Sequence, residues 1–161
     1  MEIPATGLGV GEILLRLGSA MLLGAVLGTN RDLQHKPAGL RTHALVCLGA
    51  ALVTVTGVSI ARAGDSGAVS RTVQGIITGI GFVGAGVIMR SDKQQSVHGL
   101  TTAASIWVAA CLGIACGVGL WTLAFITTGL VLLILIAGGP IERSLYRVLR
   151  GPDAGDDPPH A

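Results

Sequence analysis

Three short polar runs carry the side chains that are best suited to chemistry. The first lies at residues 30–32, the second at residues 39–43 and the third at residues 98–102, each beside a long hydrophobic stretch. Together they offer guanidinium, imidazole, carboxylate, amide and hydroxyl groups, which can bind an anion, an ion or a protein partner. The candidate residues are Asn30, Arg31, Asp32, Arg41, Thr42, His43, His98, Thr101 and Thr102.

A purely structural role for the same residues stays open. Arg31 and Arg41 can hold lipid headgroups, and Asp32 can pair with one of them. Thr101 and Thr102 can cap the start of a helix. The residue types alone do not decide between the two interpretations.

The sequence shows no catalytic or metal-binding arrangement. His43 and Cys47 share a helix face, but two ligands do not make a tetrahedral zinc site, and only Asp32 and His98 could complete one. The three cysteines lie in hydrophobic runs, which is typical of small buried side chains. No P-loop, Ser-His-Asp arrangement or pair of deep carboxylates is present. We therefore predict no catalytic residue, no metal and no cofactor.

Composition indicates what must position these residues. Half of the 161 residues are hydrophobic, only 12% are charged, and the mean hydropathy is +0.70. A soluble domain usually carries about twice that charged share. The net charge of +2 is spread between hydrophobic runs and forms no basic stripe, so nucleic-acid binding is not expected.

Five stretches are long and apolar enough to cross a bilayer, which requires about 20 residues. We therefore expect an all-α membrane protein, a compact bundle of five transmembrane helices within residues 1–140. A short amphipathic helix at residues 141–150 should follow on the membrane surface, and residues 151–161 should be disordered. The predicted spans are residues 13–29, 43–61, 72–89, 99–119 and 120–139.

The distribution of basic residues predicts an orientation. With five spans, eight of the 11 lysines and arginines fall on one side of the membrane and three on the other. The side richer in basic residues faces the cytoplasm. The N-terminus is therefore predicted outside and the C-terminus inside, and the first span should be retained because no basic segment precedes it. All three polar runs then meet at the cytoplasmic face, as a polar vestibule.

Small residues at regular spacing indicate where helices pack. Membrane helices associate through close backbone approach at Gly, Ala and Ser. The fourth span has such a residue at every fourth position, the first and third spans have shorter series, and the fifth has few, so it should be outermost. Some of these stripes could instead serve a homodimer. The predicted packing residues are Gly24, Gly28, Gly75, Gly79, Gly81, Gly84, Gly86, Ser105, Ala109, Gly113 and Gly117.

Two further features belong to the third span. Arg71 and Gln74 open it on the outer side, and Gln74 is deep enough to need a hydrogen-bond partner. Residues 79–84 match the G-x-G-x-x-G pattern of dinucleotide sites. They lack the preceding strand and the acidic residue that such a site requires, so helix packing is the favoured interpretation.

Three segments together resemble the signature runs of the MgtC/SapB family of membrane proteins. They are Pro37-Ala38-Gly39-Leu40-Arg41-Thr42-His43-Ala44-Leu45-Val46, Gly79-Ile80-Gly81-Phe82-Val83-Gly84-Ala85-Gly86-Val87-Ile88 and Gly99-Leu100-Thr101-Thr102-Ala103-Ala104-Ser105-Ile106-Trp107-Val108-Ala109-Ala110. The resemblance covers about residues 13 to 140.

The resemblance implies a multi-pass protein of the bacterial inner (plasma) membrane, linked to magnesium homeostasis and stress adaptation. It implies a regulator of other membrane machinery, such as the F-type ATP synthase or ion and phosphate homeostasis, and not a carrier. The expected partners are the lipid bilayer, another membrane protein or complex, and a second copy of the chain.

Two residues depart from the family pattern. Asn30 stands where relatives commonly have Glu, and His98 where they often have Arg, so any Glu to Arg pair that closes the vestibule in relatives is replaced here. Many members carry a cytoplasmic C-terminal domain after the fifth span; we do not expect one here, so no regulatory role of that domain is carried over.

The leading hypothesis is a non-enzymatic modulator that acts through its helix contacts and the vestibule. It predicts that Arg41→Ala abolishes rescue of growth in low magnesium while the protein still accumulates. The alternatives are a small carrier or channel for magnesium or an anion, and a structural assembly partner. An arginine-lined entrance favours anions over Mg²⁺.

Overall fold

The protein is a bundle of five long helices in a computed structural model that describes residues 2–3, 7–62, 64–65, 67–89 and 98–150. All five helices are long and apolar enough to cross a membrane, so the predicted all-α membrane fold is confirmed. A two-residue antiparallel pairing of β1, Glu2–Ile3, with β2, Leu8–Gly9, precedes them. The helices are α1 Val10–Leu33, α2 Leu40–Arg62, α3 Ala68–Met89, α4 Leu100–Val118 and α5 Trp121–Arg150.

A glycine flanks α4 on each side and allows the helix to begin and end where it does. Gly99 precedes the helix with φ 89° and Gly119 follows it with φ 94°, a left-handed conformation that glycine adopts without steric cost. The Leu120 N–H donates to the Ala115 carbonyl oxygen at 2.8 Å, which satisfies one of the last carbonyls of α4. The chain can therefore reverse within two residues, and α5 begins at Trp121.

The core of the bundle lies between α1, α2 and α4. Its largest buried apolar side chains come from these three helices and include Leu27, Ile106 and Leu112, each at most 1% exposed. α3 packs against α4 and α2, and α5 packs against α4 and α1, so both helices are peripheral. α5 was expected to be outermost, whereas the peripheral position of α3 was not anticipated.

Four predicted packing glycines lie where two helix backbones meet. A Cβ atom added at Gly24, Gly28, Gly113 or Gly117 would overlap backbone or Cβ atoms of the α2 region. Ser105 and Ala109 are also buried on α4. Since the close approach leaves no room for a side chain, these positions bring α1 and α4 into direct contact with α2.

The glycines of α3 differ from the packing expected there. Gly75, Gly79, Gly81 and Gly86 have open space beside them, and Gly84 meets only Ala103 Cβ, at 3.7 Å from an added Cβ. The face of α3 that packs instead carries larger side chains, such as Thr72 against Gly57 of α2. Gly75, Gly79, Gly81 and Gly86 therefore do not pack within the bundle, whereas Gly84 faces Ala103 of α4.

The end of α5 also differs from the predicted separate element. Residues 141–150 are helical, but they continue α5 through Pro140 without a break. A helix of 30 residues is about 45 Å long, which exceeds a hydrocarbon core of about 30 Å. These last turns therefore extend beyond the apolar layer. The predicted disordered tail, 151–161, and the basic residues Arg90 and Lys93 lie outside the described residues.

Candidate functional site

One end of the bundle gathers most of the predicted polar residues. At this end, which we call the Arg31 end, α1 finishes and α2 and α4 begin. Four side chains from the three helices are almost fully buried there: Arg31 is 2% exposed, His43 0%, Thr102 2% and Ser105 3%. We call these four residues the buried polar cluster.

Hydrogen bonds join the cluster across the three helices. Nη2 of Arg31 donates to Oγ1 of Thr102 at 2.6 Å, which links α1 to α4. The ring of His43 on α2 reaches Ser105 on α4 through Nε2, at 3.1 Å from Oγ. Its Nδ1 lies 3.1 Å from the Gly39 carbonyl oxygen. The cluster therefore fastens together the same three helices that form the apolar core.

The bonds of Ser105 and His43 depend on one another. The Gly39 carbonyl can only accept, so Nδ1 of His43 carries a proton. The Ser105 hydroxyl lies 2.8 Å from the Thr102 carbonyl oxygen and 3.1 Å from Nε2 of His43, and its single proton can be donated to one of them at a time. When the hydroxyl donates to Nε2, the neutral imidazole makes both of its hydrogen bonds. Ser105 therefore bonds either within α4 or across to α2.

The guanidinium of Arg31 is incompletely paired. Its Nε is buried and has no hydrogen-bond partner among the described residues. Among the described residues the ion pairs are Glu12 with Arg16 and Asp65 with Arg71, both at the opposite end of the bundle, so Arg31 forms no described ion pair with a carboxylate. The neighbouring Asp32 points elsewhere, because its Oδ2 accepts from the Leu40 N–H at 2.9 Å. The buried guanidinium of Arg31 thus has no direct ion-pair partner among the described residues.

The remaining vestibule residues lie around the cluster. Asn30 Oδ1 accepts from Gln34 Nε2 at 3.2 Å, and the same nitrogen donates to the Leu135 carbonyl oxygen at 3.0 Å, which joins α1 to α5. Exposed positions are occupied by Asp32, Arg41 and Thr101, and half-buried positions by Thr42 and His98. The structure therefore brings together three of the nine predicted residues, Arg31, His43 and Thr102. The other six lie around the cluster, and we call them the rim.

Ser105 and Gln34 are the site residues that sequence reasoning missed. Ser105 was predicted only as a small packing residue, although it follows Thr102 by one helical turn and so shares its face. Gln34 carried no signal beyond its polarity. A polar residue one turn after a candidate residue is the pattern that could have identified Ser105.

The opposite end of the bundle holds a second buried arginine, Arg16, which is 6% exposed. Its Nη1 donates to the Gly117 carbonyl oxygen at 2.6 Å, and its Nε donates to Glu12 at 3.1 Å. A cation at a helix C-terminus is favourable, so Arg16 stabilises the end of α4. Arg16 therefore differs from Arg31 in having a carboxylate partner.

The two predicted outer polar residues, Arg71 and Gln74, are both exposed in the first turns of α3. Arg71 pairs with Asp65 at the surface. Gln74 is exposed on α3. Residues 79–84 lie inside α3, where no strand precedes the glycines. None of these positions joins the buried polar cluster.

The cysteines do not gather into a centre. Cys47 and Cys116 are buried, Cys111 is half-buried, and all three are free. Among the residues that the structure describes, no three His, Cys, Asp or Glu side chains lie close enough together to hold a metal ion.

Comparison with known proteins decides the family. The family model described as MgtC family matches residues 17–144, which include the buried polar cluster and most of every helix. The chain belongs to the MgtC family. The predicted family resemblance is thereby confirmed, and the chain is a multi-pass membrane protein.

Individual relatives agree with this assignment. The chain is 49% identical to Protein SrpB of Synechococcus elongatus over 139 residues, which are 80% of this chain and 75% of that protein. It is 44% identical to Protein MgtC of Salmonella typhimurium over 119 residues, covering 74% of this chain and 49% of that protein. Identity to Protein MgtC of Brucella abortus is 41% over 133 residues, covering 83% of this chain and 52% of that protein.

The chain thus spans about half the length of the MgtC proteins it matches. No solved structure matches it.

Proposed function

We propose that this MgtC-family chain is a non-enzymatic modulator of other membrane machinery in adaptation to low magnesium or acid stress. The F-type ATP synthase and ion or phosphate homeostasis are the proposed targets. The observation that carries the proposal is the 44% identity to Protein MgtC over 119 residues, which are 74% of this chain.

The geometry supports a contact role for two of the helices. The polar side chains Arg31, His43, Thr102 and Ser105 are occupied in fastening α1, α2 and α4. α3 and α5 present large apolar side chains outward, such as Phe82 at 85% exposed and Ile134 at 67%. A rigid three-helix core with two peripheral apolar helices suits a protein that contacts neighbours in the membrane.

The proposed orientation places the Arg31 end in the cytoplasm of a bacterial inner membrane. The distribution of eight basic residues against three supports it. In that orientation the buried polar cluster lies at the cytoplasmic face of the membrane.

Growth rescue combined with flux measurement tests the proposal. The chain is expressed in a bacterium that lacks its own MgtC-family gene, and growth in low magnesium is measured. The purified chain is reconstituted alone into proteoliposomes, and Mg²⁺ and phosphate flux are measured separately. We expect rescue without flux.

Arginine variants connect the growth assay to the cluster. Arg31→Gln should abolish rescue while the protein still accumulates, because the link between α1 and α4 is lost. Arg147→Gln removes an exposed arginine from the last turns of α5 and is the matched control. Arg41→Ala reports separately on the exposed rim, and it is the variant for which the sequence analysis predicts loss of rescue. Rescue that survives Arg31→Gln would remove the cluster from the mechanism.

A small anion carrier is the second candidate, and the unpartnered Nε of Arg31 favours it. Saturable flux by the purified chain that disappears in Arg31→Gln would replace the modulator proposal with this one. A purely structural assembly partner, the third candidate, predicts full rescue by Arg31→Gln and loss of rescue by Gly113→Leu.

A further inference from the structure

The Arg31 guanidinium is a buried positive charge that has no ion-pair partner among the described residues. It stands in the last turn of α1, and the N-termini of α2 and α4 lie at the same end of the bundle. A helix N-terminus carries about half a positive charge and a helix C-terminus about half a negative one, so the helix ends do not supply a full counter-charge. The first turns of α2 and α4 contain no acidic residue. Asp32 offsets part of this charge through its bond to the Leu40 N–H, but its side chain is exposed.

The guanidinium of Arg31 has a hydrogen-bond donor that is not used among the described residues. Nε and Nη2 form one side of the guanidinium fork, the side that binds both oxygens of a carboxylate or phosphate. Thr102 accepts one bond from Nη2, whereas Nε has no partner among the described residues. Buried charged groups in proteins are normally paired, because an isolated charge is expensive to desolvate. The free Nε–H calls for an acceptor, and an anionic acceptor would also neutralise the buried charge.

The start of α4 offers further donors. The first N–H groups of any helix have no acceptor within the helix, and at the start of α4 the Ala103 N–H donates to the Gly99 carbonyl oxygen. Gly99 supplies no side-chain cap. Such N–H groups bind anions well.

From these observations we propose that the buried polar cluster binds a phosphate-type oxyanion through the Nε and Nη2 side of Arg31. This proposal deepens the proposed function, because it names the ligand of the cluster. Its biological role rests on the proposed function, whereas the binding itself does not. Two sources supply this chemistry: the phosphate of an anionic lipid headgroup and free inorganic phosphate.

The arrangement also predicts how binding proceeds. Arg31 is 2% exposed, so the guanidinium must shift before an anion reaches Nε. The anion would then stabilise the contact between α1 and α4, because it neutralises the charge held between them. Binding should therefore appear as increased resistance to thermal unfolding.

The experiment uses the full chain in a sugar-based detergent, which contains no phosphate group. In one arm sodium phosphate is added against sodium chloride at matched ionic strength. In the other arm phosphatidylglycerol is added in phosphate-free buffer. Thermal unfolding midpoints and native mass spectrometry report binding in both arms.

Variants at Arg31 distinguish binding through the paired Nε and Nη2 donors from binding through positive charge alone. We expect one of the two probes to raise the midpoint of the wild type and of Arg147→Gln alike. Arg31→Lys keeps the charge but loses the fork, and we expect its affinity to fall about tenfold, the factor that corresponds to roughly 1.4 kcal/mol. Arg31→Gln should show no shift. If Arg31→Gln does not fold, Arg31→Lys and Thr102→Val, which removes the hydroxyl that holds Nη2, provide the comparison.

The outcomes identify the source of the anion. They also distinguish failure of the anion site from failure of the proposed function. The probe that acts identifies lipid headgroup or free phosphate as the ligand. No shift with either probe, or equal shifts in wild type, Arg31→Lys and Thr102→Val, would overturn the anion site. Intact binding together with no growth rescue by the wild type would instead contradict the proposed function and leave the site in place.

Discussion

At the scale of single residues, Arg31 and Arg41 show what position adds to chemistry. Both are arginines at the edge of a hydrophobic run, so sequence reasoning treated them alike. Arg31 is buried against Thr102, whereas Arg41 is exposed on the first turn of α2. The burial of either residue depends on how α1 and α2 turn about their axes. Neither rotation can be inferred from hydropathy when both helices are apolar nearly all round.

Ser105 provides a stability prediction at this scale. In Ser105→Ala, Nε2 of His43 loses its partner while the ring stays buried, so the free energy of unfolding should fall by about 1–3 kcal/mol. Ser59→Ala is the matched control, because Ser59 is also buried but donates only to the Val55 carbonyl oxygen of its own helix. Thermal or denaturant unfolding in detergent provides the measurement. Equal losses in the two variants would show that the bond between His43 and Ser105 contributes nothing specific.

At the scale of helices, the small-residue pattern predicted contact without predicting which helices pack tightly. Gly113 and Gly79 both belong to regular small-residue series. Gly113 faces the backbone of α2, whereas Gly79 has open space beside it. A series of glycines indicates that another helix can approach closely on that face. It does not show that a neighbouring helix is present there. The presence of a neighbour is decided by the whole arrangement of helices, which single-helix patterns do not contain.

The two glycines therefore make a matched pair. Gly113→Ala places a Cβ against the Cys47 carbonyl oxygen, so α4 must move away from α2. We expect a loss of about 1–3 kcal/mol, the usual cost of overpacking, together with reduced accumulation in the membrane. Gly79→Ala should change stability little. Unfolding midpoints in detergent and the amount of protein in isolated membranes measure both effects.

The opposite result for either glycine variant would also report on how the helices pack. Tolerance of Gly113→Ala would show that α2 and α4 are not held at the observed separation. Damage from Gly79→Ala would show that the open face of α3 packs against another protein or a second copy.

At the scale of the whole molecule, the number of helices and their alternation were predictable, because both follow from five apolar runs and the need to cross a bilayer. Alternation alone places residues 30–32, 39–43 and 98–102 at the same end. It does not select Arg31, His43 and Thr102 from the nine candidates, nor does it add Ser105. That selection requires the helices to be packed, because contacts between side chains depend on their rotation and tilt.

Orientation provides the last prediction, and it belongs to the molecule as a whole. Asp65→Cys lies between α2 and α3, and Arg147→Cys lies in the exposed last turns of α5, on the opposite side of the membrane. With the Arg31 end in the cytoplasm, a membrane-impermeant maleimide should label Asp65→Cys in intact cells and Arg147→Cys only after permeabilisation. The parent chain is the control, because Cys47 and Cys116 are buried and Cys111 is half-buried within a helix. The reverse labelling pattern would contradict the orientation and would place the buried polar cluster outside the cell. An anion site there would be filled from the periplasmic side, so the source of its ligand would have to be reassigned.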